Sequence, residues 1–160
     1  MKPLLSLILP LSFALSVGLP LARGGDLPSE TLKQIDQMKI DAEARKDMPK
    51  ELPGVVQVTT DEAFKMWKAK SAIFLDNRVK TQFDTERIEG AQWFPIDEFL
   101  KDPGLAAKLD KSKKYIAYCN GAHCWRSPAV VLLLKTMGYD KILWYRDGIP
   151  DWKTKGLPAE

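Results

Sequence analysis

The chain has 160 residues, and its 24 Lys and Arg against 21 Asp and Glu leave a formal charge of only +3. The lysines are scattered rather than grouped, which excludes a nucleic-acid partner read from a basic patch. Once an N-terminal leader is set aside, the remaining length is one domain's worth of chain.

Lys2 is followed by an uncharged, mostly apolar run from Pro3 to Ala22. A short positive region and a hydrophobic region are the pattern of a secretory signal, so residues 1–22 read as a signal peptide and the protein as exported, to the periplasm. Ser16-Val17-Gly18 offers small residues for cleavage, as does the end at Ala22. The alternative is an uncleaved membrane anchor, since the run is long enough to span a bilayer.

Residues 23–53 read as an N-terminal helical extension. Ser29 can cap a helix whose apolar residues Leu32, Ile35 and Met38 recur at helical spacing. This predicts a surface helix packed on the domain, with a partner-binding helix as the alternative. Pro49, Pro53 and Gly54 mark a boundary, and the main domain runs over residues 54–160.

Val55 to Val58 is a short β-branched strand. Thr60 is expected to cap a helix with Asp61 and Glu62 in its first turn and Ala63, Phe64 and Trp67 on one side. Ala72 to Leu75 is a continuous apolar run, as expected for a strand buried on both faces, and it stops at Asp76-Asn77-Arg78. Gly90 to Pro95 reads as another strand. Ile96 to Leu100 and Leu105 to Leu109 are brief helical turns. Ile142 to Tyr145 is a final buried strand, after which Asp147-Gly148 turns and Pro150 starts a short helix through Trp152. Strands alternating with helices predict an α/β fold, a parallel sheet with helices on both faces.

One stretch organises the whole. Tyr115 to Tyr118 reads as a strand, Cys119-Asn120-Gly121-Ala122-His123-Cys124-Trp125 as a sharp loop, and Arg126 onward as a helix running to Met137 and closed by Gly138. Both cysteines and the single histidine of the chain lie in this loop. Pro128 suits the first helical position, and Ser127 can cap the orphan amides. A cysteine between a strand end and a helix N-terminus sits among inward-pointing N–H groups that favour an anion. Arg126 adds a fixed positive charge. Cys119 is therefore expected to have a pKa below the free value of about 8.5. In parallel sheets ligands bind beyond the C-terminal strand ends, where Cys119 and Asp76 both fall.

These residues resemble the rhodanese family. The pieces that match, in order, are Asp76-Asn77-Arg78 after an apolar strand; Phe83-Asp84 leading into Ile88-Glu89-Gly90-Ala91; Tyr118-Cys119 opening a loop with Gly121 two residues on; Arg126-Ser127 leading into a helix ending at Gly138-Tyr139; and Tyr145 to Trp152 with Gly156-Leu157-Pro158. The resemblance implies a rhodanese-like domain and a sulfurtransferase in which Cys119 takes a sulfane sulfur, becomes a persulfide, and yields the sulfur to a thiophilic acceptor. It implies a small sulfur-containing anion such as thiosulfate as donor, a thiol or other thiophile as acceptor, and no cofactor. Asn120, Gly121, Ala122, His123, Cys124, Trp125, Arg126 and Ser127 then form the substrate loop, with Arg126 holding the anion or the persulfide charge. Asp76 and Arg78 become structural loop anchors.

Two departures stand out. The loop is longer than usual, with His123, Cys124 and Trp125 extending it, and Arg87 stands where the family has a histidine. Cys124 has three readings: a resolving cysteine for Cys119, one half of a standing disulfide, or a small buried hydrophobe. His123 is read as exposed or hydrogen-bonded, or as a tuner of the thiolate. A metal site needs more ligands than Cys119, Cys124 and His123 supply in one tight loop, so none is expected. Two other functions stay open: a thiol–disulfide redox protein using Cys119 and Cys124, and a non-catalytic rhodanese-like binding module.

Overall fold

The structure, a computed structural model, describes residues 27–160. The leader expected over residues 1–22 lies outside the described residues. Among those described, no helix is long and apolar enough to cross a membrane.

Five parallel strands form one sheet: β1 (Val56–Gln57), β2 (Ile73–Asp76), β3 (Gln92–Trp93), β4 (Tyr115–Tyr118) and β5 (Ile142–Tyr145), in the order β1-β5-β4-β2-β3. All four residues of β4 are buried, as its central place requires. The register aligns Tyr118 with Asp76 on one side and with Tyr145 on the other. The chain therefore leaves β2, β4 and β5 at one level of one rim, where Asn77, Cys119 and Arg146 follow.

Among the described residues six α-helices cover the sheet: α1 (Ser29–Glu43), α2 (Thr60–Lys68), α3 (Lys80–Thr85), α4 (Ile96–Lys101), α5 (Arg126–Thr136) and α6 (Gly148–Thr154). A 3-10 turn spans Pro103–Lys108. Successive residues of β4 face opposite sides. Tyr115 and Ala117 join the core under α1, α4 and α5, with Leu75, Val130, Leu134 and Trp144. Ile116 and Tyr118 join the other core, where Phe74, Tyr145 and Trp152 meet Ala63 of α2.

Several boundaries differ from expectation. The cap of α2 is Thr59, whose side chain accepts from the Glu62 amide while Glu62 accepts from the Thr59 amide. Thr60 lies one residue inside, where its buried hydroxyl meets Tyr145 Oη at 2.9 Å and Asp151. Pro28, not Ser29, precedes α1, and no side chain caps it. Helix α3 lay between motifs and carries no buried residue, so no apolar period announces it. Helix α5 ends as expected: Gly138 has φ +81°, its amide donates to Lys135 O and the Tyr139 amide to Leu134 O.

Helix α1 belongs to the same packing unit as the sheet. Its Ile35 and Met38, with Met48 and Leu52 from the following segment, are buried in the core that holds α5 and Trp144.

Candidate active site

Beneath the rim lies a buried ion pair. Asp76 is fully buried and accepts from Arg78 Nη2 at 2.7 Å, Arg78 Nε at 3.0 Å and the Arg78 amide at 3.0 Å. Tyr118 Oη donates to the same carboxylate at 2.7 Å and accepts from the Ile88 amide at 3.2 Å. Arg78 also reaches Glu86 O at 2.5 Å. This network ties the exits of β2 and β4 to the segment before β3 at the residue preceding Cys119. Trp93 Nε1 donates to Arg78 O at 2.9 Å, placing Trp93 against this anchor.

Cys119 and Cys124 are free thiols at the two ends of the loop. Cys119 is fully buried. Its sulfur lies 3.0 Å from Ser127 Oγ and 3.5 Å from Cys124 O, and its carbonyl accepts from the Ile149 amide at 3.0 Å. Ser127 Oγ in turn accepts from Trp144 Nε1 at 3.0 Å. Ser127 is thus not a helix cap: it sits inside α5, and Trp125 precedes the helix without any side-chain cap. The hydroxyl expected to serve backbone amides instead serves two buried groups.

The expectation of an acidified Cys119 is also corrected. Burial pushes its thiol well above the ordinary range, and the facing Cys124 sulfur adds to this, while hydrogen bonds from Ser127 oppose it. The acidified thiol is Cys124, brought down to about 6, first by the hydrogen bond from Cys119, against the cost of its own burial, and further by the backbone of Asn120 and Arg126 and by the Arg126 charge. The backbone of Asn120 and Arg126 serves the second cysteine, which lies two residues before α5.

The rest of the loop is held from outside. Gly121 turns at φ +93°, and the Cys124 amide closes the turn on Gly121 O at 3.0 Å. Asn120 is exposed and donates to Gln82 Oε1 at 3.1 Å. Ala122 O accepts from the Met48 amide at 2.8 Å. His123 is exposed, with Nδ1 2.9 Å from Asp47 Oδ1, and Arg146 Nη2 approaches the same carboxylate at 3.4 Å. Arg146 also donates to Met48 O at 2.9 Å. Gly148 has φ +62°, and a Cβ there would lie 2.2 Å from Cys119 O, so only glycine lets the turn after β5 pack on the loop.

An open cleft of about 610 Å³ faces the loop, lined by Cys124, Trp125, Arg126, Asn120 and His123 together with Asp97 and, from α1, Lys39, Ala42 and Glu43. Lys39 Nζ stands 5.2 Å from the Trp125 ring and the Arg126 guanidinium 5.1 Å from it. Arg126 Nη2 lies 3.3 Å from Asp97 Oδ2, and its Nε is buried with no partner among the described residues. Cys119 does not reach this cleft. Among the described residues no group of three His, Cys, Asp or Glu side chains comes together as a metal set.

The wall from α1 was missed in the sequence, where only the helix's apolar stripe was legible. Gly148 was read as a turn residue without its contact on the loop.

The fold and site define a parallel α/β domain that presents a cysteine-bearing loop between its central strand and a buried helix. Residues 59–155 match the Rhodanese-like domain family, and the chain belongs to it. An HTH-type transcriptional regulator of Mycobacterium tuberculosis is 29% identical over 103 residues, covering 64% of this chain and 44% of the regulator. The chain thus spans less than half the length of that curated relative. The Rhodanese-like domain of an Anabaena protein is 26% identical with a TM-score of 0.56, covering 65% of this chain and 77% of that one. A rhodanese-related protein from Thermoplasma volcanium shares the fold at TM-score 0.57 and 24% identity over 66% of this chain and 97% of its own. Thiosulfate sulfurtransferase from Pseudomonas aeruginosa shares it at TM-score 0.56 and 18% identity, covering 81% of this chain and 23% of that one.

Proposed function

We propose that this chain is a sulfurtransferase that takes a sulfane sulfur from a small anionic donor such as thiosulfate, carries it as a persulfide on the cysteine loop, and yields it to a thiophilic acceptor. By position after the central strand, Cys119 matches the family's sulfur-carrying cysteine, which on position alone would leave Cys124 as its resolving partner. The observation that carries the reading is the pair of facing free thiols at the strand-rim loop, one of them bordering a cleft with two cationic side chains. Arg126 and Lys39 attract an anionic donor into the cleft, and the N-terminal end of α5 stabilises the charge that develops on sulfur. A cleft of about 610 Å³ also has room for an organic donor larger than an inorganic anion. Export to the periplasm remains part of this proposal, resting on the leader sequence.

Intact-mass measurement of the protein before and after thiosulfate tests the reading. Gain of one sulfur atom by a variant that keeps a single cysteine of the pair, removed again by cyanide, is the expected result. No gain from thiosulfate or from an organic persulfide, in wild type or in either single cysteine variant, would sink it.

The facing sulfurs favour a second reading, a thiol–disulfide redox protein. It predicts a pair that oxidises reversibly in a glutathione titration whether or not a sulfur donor has been added.

A further inference from the structure

We infer that Cys124, rather than Cys119, is the nucleophile that attacks the donor's sulfane sulfur, and that Cys119 is the second thiol that closes on it. This rests on the sulfur-transfer reading above and reverses the roles that position in the loop assigns.

Access comes first. Cys124 borders the cleft, whereas Cys119 is fully buried beneath the loop. Exposing Cys119 would mean lifting a loop whose carbonyl at Cys119 is bonded to Ile149 and packed against Gly148, and whose carbonyl at Ala122 is bonded to Met48. Space gives the same answer. Cys124 lines the cleft, so a sulfur atom added there has open volume beside it, whereas one added to Cys119 meets Ser127 Oγ, now 3.0 Å from its sulfur, and the Cys124 carbonyl at 3.5 Å. Charge stabilisation also sides with Cys124, which precedes the 11-residue helix α5 by two positions and receives the hydrogen bonds of the Asn120 and Arg126 backbone.

The chemistry balances without a further oxidant. The Cys124 thiolate attacks the outer sulfur of thiosulfate, a new S–S bond forms, the donor's S–S bond breaks, and its electron pair leaves on sulfite. A thiophilic acceptor can then take the outer sulfur and return the Cys124 thiolate. With no acceptor, the Cys119 thiol attacks Cys124 Sγ. The product is a Cys119–Cys124 disulfide, and the outer sulfur departs as hydrosulfide with the proton Cys119 gives up. A dithiol reductant reopens the disulfide.

Limiting iodoacetamide on the reduced wild-type protein near pH 7 reads the nucleophile without any sulfur donor. Both cysteines lie in the tryptic peptide Tyr115 to Arg126, so fragmentation of that peptide locates the label. Label on Cys124 in at least about tenfold excess over Cys119 is expected. Excess label on Cys119 would overturn the assignment. Thiosulfate is then added to Cys119→Ser and Cys124→Ser: the first gains one sulfur, the second none. Uptake by Cys124→Ser alone would also overturn it. Label at Cys124 with no uptake by wild type or either variant refutes the sulfur-transfer reading and the donor step together, and leaves Cys124 a redox thiol. The wild-type label map decides the nucleophile even where the Cys119 variant fails to fold.

Discussion

Replacing Asp76 by Asn tests whether the anchor under the loop is architectural. The carboxylate is fully buried and is the partner of an Arg78 guanidinium that is itself almost fully buried. Asparagine keeps one acceptor oxygen, enough for the Arg78 amide and Nε contacts that Oδ1 now takes at 3.0 Å each. Its NH2 would then stand where Oδ2 accepts from Arg78 Nη2 and Tyr118 Oη, both at 2.7 Å, turning two strong bonds into donor–donor contacts. The guanidinium loses its counter-charge and keeps, besides that Oδ1, only Glu86 O as an acceptor. Removing one partner of a buried pair costs about 3–5 kcal/mol. For a domain of this size that is a fall in Tm of roughly 10–15 °C. Urea unfolding and thermal melts followed by circular dichroism measure both quantities. The double variant Asp76→Asn/Arg78→Leu should recover part of the loss, because no unpaired charge remains. A single-variant loss under about 1 kcal/mol would refute the anchor argument and show that water or a rearranged neighbour compensates Arg78.

Gly148→Ala should destabilise by at least about 3 kcal/mol in urea unfolding, since it combines a left-handed backbone with a Cβ 2.2 Å from Cys119 O; a near-neutral result would mean the loop yields easily. The two thiols predict opposite pH effects on stability. Cys124, with its pKa lowered to about 6, contributes stability fully present above the unfolded value of about 8.5 and lost as pH falls through 6. Cys119, with its pKa raised, costs stability only above about 8.5. Urea midpoints of wild type minus Cys124→Ser should therefore rise from pH 6 toward 8.5, and a flat difference would contradict the lowered pKa. Cys119→Ala removes the hydrogen bond that most lowers Cys124, so the alkylation midpoint of Cys124 should move up from about 6, whereas Cys119→Ser, which retains a donor, should move it less. Arg126→Ala should raise KM for thiosulfate by about 10-fold or more, the worth of a charge-assisted bond, with a smaller change in kcat; a change confined to kcat would assign Arg126 to the chemistry instead of to binding.

The fold was legible because its signals were local. The buried runs at Ile73 and Ile116, the β-branched start at Val55 and the glycine at 138 each announce an element without help from the rest of the chain. The anchor role of Asp76 and Arg78 came from the family resemblance rather than from spacing. What the sequence did not carry was direction. Spacing brings Cys119, Cys124 and Ser127 into one loop, but it does not say which sulfur turns inward. That depends on how the loop enters α5: the backbone of Asn120 and Arg126 serves Cys124, and Ser127 sits inside the helix. The Ser127 hydroxyl is drawn inward by Trp144 from β5, a contact 17 residues away in sequence. The part that helix α1 plays in the cleft escaped for a similar reason. Its buried Ile35 and Met38 follow the helical period, yet Lys39 and Glu43 read as ordinary surface charge until α5 brings the reactive loop beside them.

The bond from the Met48 amide to Ala122 O gives the segment between α1 and β1 a second consequence. That segment lies outside the matched family region, yet lifting the reactive loop must release its amide. Deuterium exchange at Met48 is therefore a clock for loop opening. Its protection factor measures the free energy of exposing the buried thiol, and it can be read in the resting protein with both cysteines intact.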